Sequence, residues 1–276
     1  MAHVWAAVLG LVQGFSEFLP ISSTAHLKLI PWIFGIQGAY PYLASAQTAQ
    51  AFDIALHAGS AVAILIALWG DWVRLAVGAV QRSKPALRLL GFLALTSIPG
   101  AVLGGLFDKQ IEVYSSPLAF RLAPVLVGGS LIVFGVVLWA VDHYTTRAEP
   151  FEKMNWLRAT LIGVGQAFAL IPGVSRSGAT MTVGRATGLS REAVAKYSFM
   201  AALPIILGAA VFDLRSIPLA TLLSLDWVIG FTASLVSSVL VVRWMLAYVR
   251  RHSFAVFMWY RIALGVAVIA LFLVRG

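Results

Sequence analysis

Cysteine is absent from this chain of 276 residues. Its absence excludes disulfide bonds and thiolate metal sites, so carboxylate, imidazole and hydroxyl groups must carry any chemistry. Charged residues make up only 11% of the chain, whereas a soluble domain carries about 25%. Acidic residues are the scarcer charged class, with 11 Asp and Glu against 20 Lys and Arg. No soluble basic domain is visible that could bind nucleic acid, and we expect no nucleic-acid partner.

Hydrophobic residues, in contrast, make up 60% of the chain, and its mean hydropathy is +0.90. These values predict an integral membrane protein. The net charge of +9 lies mostly in short loops between apolar segments, where it orients the chain and attracts anionic membrane lipid. The N-terminal stretch lacks a basic n-region and a convincing small-residue cleavage site, so we expect no removable signal peptide.

Six segments approach the length of about 20 apolar residues that a bilayer crossing needs. These predicted spans are 51–69, 87–107, 119–141, 193–213, 226–246 and 255–274. Two more apolar regions, 4–36 and 156–189, are interrupted by Pro-Ile-Ser-Ser-Thr at 20–24 and by Pro-Gly-Val-Ser-Arg-Ser at 172–177. Because proline ends a helix and Ser or Thr can cap the next, we predict a re-entrant helical hairpin at each interruption.

The two interrupted regions resemble each other. Residues that match are separated by 153 positions in four pairs: Gly10 and Gly163, Gln13 and Gln166, Phe15 and Phe168, Ser22 and Ser175. We therefore predict an all-α polytopic membrane protein with one domain, 1–276, built of pseudo-repeats at about 1–145 and 146–276. Each repeat is a re-entrant hairpin plus three transmembrane helices, which gives six full spans. Since three crossings are an odd number, the second repeat is inverted relative to the first.

The distribution of basic residues predicts the orientation in the membrane. If the loop 70–86 is cytoplasmic, most loop Lys and Arg residues fall on that side. They are Arg74, Arg82, Lys84, Arg147, Lys153, Arg185, Arg191, Arg250 and Arg251. Both termini then lie outside the cytoplasm, and one hairpin enters from each face so that their tips meet near the middle.

The first interruption carries the only carboxylate of the first fifty residues, Glu17. Gln13 lies four residues before it and shares its helix face. A buried carboxyl that locks helices together is the structural alternative, but polar residues within lipid are costly and point to function. The hydroxyls of Ser22, Ser23 and Thr24 could cap a helix or bind a ligand, and His26 beside them is suited to proton transfer.

The second interruption carries Arg176, which cannot be neutralised and needs an anionic partner. Glycines beside it, such as Gly173, let backbone amides approach a ligand, and a helix N-terminus with hydroxyl groups adds donors. The hydroxyls are those of Ser175, Ser177 and Thr180. This pattern predicts a phosphate site. The alternative is a structural ion pair with Glu17, and the two are compatible because the pair could hold an empty site.

Three further residues lie outside the motifs. Asp53 and His57 are four apart at the head of a span, and we interpret them as a pair near the membrane interface. The alternative places them beside the site. Arg261 lies several residues into the last span, where we expect its side chain to reach the headgroups; a contact to a second phosphate is the alternative.

The strings QGFSEFLPISSTAH and PGVSRSGAT, with FDIALHAGS before the first long span, resemble the undecaprenyl-diphosphate phosphatase family, bacterial enzymes associated with bacitracin resistance. The resemblance covers the whole chain. It implies a multi-pass protein of the bacterial inner membrane that removes one phosphate from undecaprenyl diphosphate. The lipid carrier is thereby recycled for peptidoglycan synthesis. The resemblance also implies a divalent cation, Mg²⁺ or Ca²⁺.

Position by position, Glu17 matches the catalytic glutamate of that family, and Ser23 and His26 match its hydroxyl and histidine positions. Arg176 matches a catalytic, phosphate-holding position. The substrate-binding set is completed by Gln13, Ser22, Thr24, Gly173, Ser175, Ser177 and Thr180. Gln13 departs from the family, which often has Glu there, so a two-carboxylate metal site is in doubt and Glu17 remains as the one candidate metal ligand.

We expect hydrolysis at a site open to the outer, periplasmic face, with the prenyl chain between helices. Ser23 acts either as nucleophile or to orient a water molecule. A rival function is a lipid-phosphate flippase or transporter, because broken helices in inverted repeats are common to that class. The membrane phosphatases with a histidine nucleophile need SRxxxxxHxxxD, and no His or Asp follows Ser175-Arg176 at those positions. For the oligomeric state, we expect a monomer or a homodimer.

Overall fold

The structure, a computed structural model, describes residues 1–36, 39–44, 46–115, 120–213 and 219–275. The described residues form helices and no named strand; Glu149 and Leu189 make one isolated β-bridge. The helices are α1 (Ala2–Phe18), α2 (Ser23–Phe34), α3 (Ala46–Ala67), α4 (Trp69–Val80), α5 (Lys84–Ser115), α6 (Ala123–Tyr144), α7 (Trp156–Ala167), α8 (Arg176–Ala186), α9 (Arg191–Asp213), α10 (Leu219–Leu222), α11 (Leu225–Tyr248) and α12 (Ala255–Arg275). The all-α prediction is confirmed for these ranges. Position 119, where one predicted span begins, lies outside them.

Several of the described helices are long and apolar enough to cross a membrane. Five qualify alone: Lys84–Phe107, Ala123–Tyr144, Arg191–Ala209, Leu225–Tyr248 and Ala255–Arg275. A sixth qualifies only as a bent pair, Ala51–Ala67 with Trp69–Val80, whose axes differ by 78°. The chain is therefore a multi-pass membrane protein, and the predicted span 51–69 is the one that is short and bent.

Helix α4 was not predicted, because its Gly70, Asp71 and Arg74 interrupt the apolar run and suggested a loop over 70–86. Its polar face is held by Asp71, whose Oδ1 accepts a hydrogen bond from Lys196 Nζ of α9 at 2.7 Å. Its apolar face buries Leu75. An amphipathic helix of this kind is stabilised by tertiary contacts rather than by a continuous apolar sequence.

The two interruptions are helix breaks, as predicted. Helix α1 ends at Phe18 and α2 begins at Ser23, while α7 and a 3₁₀ turn over Phe168–Leu170 precede α8. Each second helix is capped by a serine with left-handed backbone, Ser22 with φ 74° and Ser175 with φ 76°. The Ser22 hydroxyl accepts from the Ala25 amide at 3.4 Å, and that of Ser175 from the Gly178 amide at 3.1 Å. These bonds satisfy donors that the start of a helix leaves free.

The broken helices are embedded in the bundle by glycine contacts. Helix α1 packs on α11 and α3, α7 packs on α5 and α8, and α6 packs on α12. A Cβ at Gly14 would lie 2.7 Å from the Ser234 carbonyl oxygen of α11, and a Cβ at Gly163 would lie 3.0 Å from the Thr96 carbonyl oxygen of α5. Close approach of the backbones therefore requires glycine on both broken helices. Both breaks are thereby held inside protein, where irregular backbone is tolerated at membrane depth.

Candidate functional site

A cavity of about 300 Å³ lies between the two helix breaks. Its walls come from both breaks and from α3 and α9. The lining residues are Glu17, Ser22, Ser23, Thr24, Asp53, Ile54, His57, Ala169, Ser175, Arg176, Ile205, Ile206 and Ala209. Six residues predicted for the site, namely Glu17, Ser22, Ser23, Thr24, Ser175 and Arg176, therefore share one cavity.

Glu17 and Arg176 meet directly across this cavity. Arg176 Nη2 donates to Glu17 Oε1 at 2.9 Å, and Arg176 Nη1 donates to the Ser198 carbonyl at 3.0 Å. The Glu17 side chain is only 6% exposed, and that of Arg176 is 13% exposed. The ion pair between Glu17 and Arg176, which was the alternative interpretation of the sequence, is thus formed. It leaves the guanidinium at the cavity wall, where an incoming phosphate oxygen could replace the carboxylate as its partner.

The second oxygen of Glu17 is bound by groups of its own break. Ser23 Oγ donates to Glu17 Oε2 at 2.5 Å, and Gln13 Nε2 donates to the same oxygen at 3.2 Å. A carboxylate can only accept, so the Ser23 proton points at Glu17. This is the relation of a hydroxyl to the base that would remove its proton. Gln13 is fully buried and orients the carboxylate, as its sequence spacing predicted.

His57 also faces this carboxylate. Its Nδ1 lies 2.7 Å from the Asp53 carbonyl oxygen, and its Nε2 lies 3.6 Å from Glu17 Oε2. A carbonyl only accepts, so Nδ1 carries a proton, and Nε2 faces the cavity and the Glu17 carboxylate. Asp53 and His57 both line the cavity, which agrees with the alternative that places them beside the site. Lys28 Nζ lies 3.9 Å from Asp53 Oδ2.

His26 has a different environment from the one that we expected. Its Nδ1 lies 2.7 Å from the Ser22 carbonyl oxygen, and its Nε2 lies 2.6 Å from the Tyr260 hydroxyl. The two rings stack with centroids 5.7 Å apart. Both ring nitrogens are therefore engaged behind the first break, and His26 is not among the lining residues. Its role in proton transfer stays a prediction.

Three residues of the predicted phosphate set support the breaks from behind instead of lining the cavity. Ser177 Oγ donates to the Leu19 carbonyl at 2.9 Å and so ties one break to the other. Thr180 Oγ1 shares a hydrogen bond with Ser198 Oγ at 2.7 Å. Gly173 has φ 92°, a conformation that favours glycine. Sequence spacing could not separate these supporting positions from those that face the cavity.

Arg261 of α12 holds both breaks, and the expectation that it reaches the headgroups is wrong. The residue is 0% exposed. Its Nη1 donates to the Pro20 carbonyl at 3.1 Å, and its Nη2 donates to the carbonyls of Gly173 and Val174 at 2.8 and 3.1 Å. Helix breaks leave carbonyls without helical partners, and a guanidinium has five donors to satisfy them. Since these donors are occupied, the alternative of a second phosphate contact fails as well.

The donor set does not fit a resident divalent cation. Within the described ranges, no group of three His, Asp or Glu residues could hold a metal ion. Glu17, the one candidate ligand, already accepts hydrogen bonds on both oxygens from Arg176, Ser23 and Gln13. Mg²⁺ and Ca²⁺ require several oxygen ligands at short distance, which these occupied oxygens do not supply.

The chain is similar to known proteins over nearly its whole length. The profile of the family described as bacitracin resistance protein BacA matches residues 6–267. A protein of Pelotomaculum thermopropionicum is 41% identical over 96% of this chain and 95% of its own length. Relatives from Moorella thermoacetica and Caldicellulosiruptor bescii are each 40% identical over 100% of both chains. All three relatives are named undecaprenyl-diphosphatase.

Proposed function

Since the chain belongs to the bacitracin resistance protein BacA family, we propose that it is an enzyme that hydrolyses undecaprenyl diphosphate to undecaprenyl phosphate and inorganic phosphate. One observation carries the proposal beyond the relatives' names. Two helix breaks distant in sequence bring a carboxylate, a hydroxyl and a guanidinium to one cavity, with Glu17 and Arg176 2.9 Å apart. These are the groups that phosphoryl transfer needs for positioning and charge stabilisation.

In the proposed reaction, Arg176 binds the diphosphate and offsets the charge that develops in the transition state. Glu17 takes the hydroxyl proton of Ser23 while Ser23 Oγ attacks the terminal phosphorus of the diphosphate. The bond from that phosphorus to the bridging oxygen breaks, and undecaprenyl phosphate leaves with the bridging oxygen. Water then hydrolyses the phosphoserine to inorganic phosphate. Direct attack by a water that Ser23 orients is the alternative, and the short bond from Ser23 to Glu17 supports the first route.

His57 has a place in this scheme. Its Nε2 faces the cavity beside Glu17. It can accept a proton from the water that attacks the phosphoserine and pass it to the inorganic phosphate, while Glu17 returns the proton of Ser23 to the departing Ser23 oxygen. Gln13 orients Glu17, and the hydroxyls of Ser22 and Thr24, which line the cavity, supply further donors to phosphate oxygens.

The divalent cation would be a partner of the substrate. Because the described residues do not fit a resident ion, Mg²⁺ or Ca²⁺ would be held by the substrate and not by the protein, and it would reduce the charge of the diphosphate. The rate of phosphate release should therefore follow the concentration of the complex between the cation and the diphosphate. The purified protein should also bind the cation weakly without substrate.

The two broken helix pairs are re-entrant hairpins of an inverted repeat that includes six spans, and the site opens to the outer face of the bacterial inner membrane. The packing supports the repeat. If α7 corresponds to α1 and α5 corresponds to α11, then the contact of α1 with α11 has its counterpart in the contact of α7 with α5. The basic loops support a cytoplasmic 70–86. In that setting the reaction recycles the carrier of peptidoglycan synthesis and confers bacitracin resistance.

The test is release of phosphate from a long-chain prenyl diphosphate by purified protein in detergent, with and without Mg²⁺ or Ca²⁺. The parent should release phosphate, and Glu17→Gln, Ser23→Ala and Arg176→Ala should not. Ser16→Ala is a matched control, since Ser16 lies on the helix of Glu17 and, among the described residues, its hydroxyl bonds only the Val12 carbonyl. Full activity in all three variants would refute the site. No release by the folded parent would favour the flippase, which broken helices also suit.

A further inference from the structure

A second polar cavity lies at the opposite end of α8 from Arg176. It has a volume of about 400 Å³ and forms where the ends of α6, α8, α9 and α11 meet. Its lining residues are Thr145, Thr146, Arg147, Ala148, Arg185, Ser190, Arg191, Glu192, Val249 and Arg250. Arg185 is nine residues from Arg176 along α8, which places the two ends about 14 Å apart. We refer to this cavity as the arginine pocket.

The base of the arginine pocket holds two cations on one carboxylate. Asp142, which is 2% exposed, accepts from Arg185 Nε at 3.0 Å and from Arg191 Nε at 2.7 Å. The remaining nitrogens of Arg185 donate to backbone carbonyls, which makes it part of the wall. Arg185 is 4% exposed and Arg191 is 33% exposed, so one positive charge is left without a carboxylate at the accessible side of the cluster. An anion that reached this side would make charge-assisted hydrogen bonds with it.

The rim of the pocket adds to this charge. Arg250 is neutralised by Glu192, with Nη2 and Oε1 2.6 Å apart. Arg147 has no carboxylate at hydrogen-bond distance in the described part of the chain. The nearby Glu149 bonds to Arg158 at 2.7 Å, and this hydrogen bond holds the pKa of Glu149 below its usual range. The four guanidinium groups of the pocket thus exceed its two carboxylates by two charges.

Donors for an anion are also free. Arg191 uses only Nε toward Asp142, and its Nη1 and Nη2 bond to no other described residue. The guanidinium of Arg147 likewise makes no hydrogen bond within the described ranges. The N-terminus of α9 lies at the same place, with Ser190 Oγ accepting from the Ala193 amide at 3.1 Å, and its dipole favours negative charge.

We propose that the arginine pocket binds a phosphate-group anion, carried by an acidic phospholipid headgroup or free in solution. The two excess charges, the planar donors of two guanidinium groups and the polar hydroxyls of the lining suit the three oxygens of a phosphate. With the proposed orientation, the pocket opens toward the cytoplasmic leaflet, where anionic headgroups are abundant. It is separate from the cavity that holds Glu17.

The test uses purified protein in a neutral detergent and follows its thermal denaturation midpoint during titration. One arm adds short-chain phosphatidylglycerol, one adds inorganic phosphate at constant ionic strength, and short-chain phosphatidylcholine is the neutral-headgroup control. The test variant is Arg147→Gln, because glutamine keeps the Cβ, Cγ and Cδ atoms that lie against Gly188. Arg251→Gln makes the same change of charge at an exposed neighbour of Arg250 that does not line the pocket.

We expect the anion to raise the midpoint of the parent, of Arg251→Gln and of Arg176→Ala, the last because the phosphatase site is elsewhere. Arg147→Gln should bind about tenfold more weakly, the effect of one charged hydrogen bond. Arg191→Lys keeps the charge but loses the planar guanidinium donors, so its affinity for the anion should lie between those of the parent and of Arg147→Gln. A response to phosphatidylglycerol alone identifies a headgroup, and a response to inorganic phosphate identifies the free ion. No response, or equal responses in Arg147→Gln and Arg251→Gln, would overturn the proposal without bearing on phosphate release.

Discussion

The two helix breaks solve the same backbone problem and then carry different chemistry. In each, a serine with φ near 75° caps the helix that follows, Ser22 before α2 and Ser175 before α8. The residue after the cap differs between the breaks. In the first it is Ser23, whose hydroxyl donates to Glu17, and in the second it is Arg176, a cation. The two breaks therefore share a backbone framework, and single residues that differ between them place the acid at one break and the cation at the other.

The matched glutamines, each nine residues before its cap serine, show the same divergence. Gln13 Nε2 donates to the Glu17 carboxylate at 3.2 Å, whereas Gln166 Nε2 donates to the Thr96 carbonyl at 2.9 Å. The first glutamine positions a reacting group, and the second fixes α7 to α5. Equivalence in sequence thus predicts equivalent geometry but not an equivalent role.

The largest effect should come from the second break. Arg176→Ala should lower phosphate release about 10³-fold, because the variant loses the cation that offsets transition-state charge. Arg176→Lys should recover part of this loss, since it keeps the charge but not the bidentate fork. Single-turnover assays at saturating substrate would measure the effect. Equal activity of the parent and the alanine variant would mean that the two breaks do not form one active site.

The two histidines sharpen the comparison inside the first half of the chain. His57→Gln should lower the rate about 10²-fold, the low end for loss of a general acid or base, and should alter the pH profile. His26→Gln should have a smaller effect on rate and lower the denaturation midpoint, because its ring joins the first break to Tyr260. The measurements are pH–rate profiles of both variants. A larger rate loss in His26→Gln would return the proton-transfer role to His26.

Much of this arrangement could be predicted from the sequence, and the rest depended on contacts between distant segments. The breaks were predictable because proline and polar residues interrupt apolar runs locally. The pairing of Glu17 with Arg176 followed from the need of each charge for a partner. The role of Arg261 was not predictable, because its partners are backbone carbonyls, which every residue carries. For His57, its spacing from Asp53 favoured a local pair, and a position beside the site was only the alternative.

Substitution of Arg261 should weaken both helix breaks at once. Arg261→Met should destabilise the protein by about 3 kcal/mol, since buried carbonyls of both breaks lose their donors while the apolar volume is retained. The denaturation midpoint in detergent should fall, and the remaining folded protein should lose activity. Arg275→Met is a control, because Arg275 is an exposed arginine at the end of the same helix. Similar midpoints for the two variants would show that Arg261 does not support the breaks.

The smallest effect, and the closest test of the equivalence of the breaks, comes from the cap serines. Replacing either by alanine should cost about 1 kcal/mol, because alanine keeps the Cβ at positive φ but loses the cap. Glycine removes the cap but suits the backbone, so Ser22→Gly should cost only a few tenths of a kcal/mol. Ser175→Gly should cost more, because Ser175 Oγ also bonds Ser177 Oγ at 3.1 Å, and Ser177 ties the second break to the Leu19 carbonyl. Denaturation midpoints of the four variants measure this order. Equal losses for the two glycine variants would show that the Ser175–Ser177 bond adds nothing to the cap.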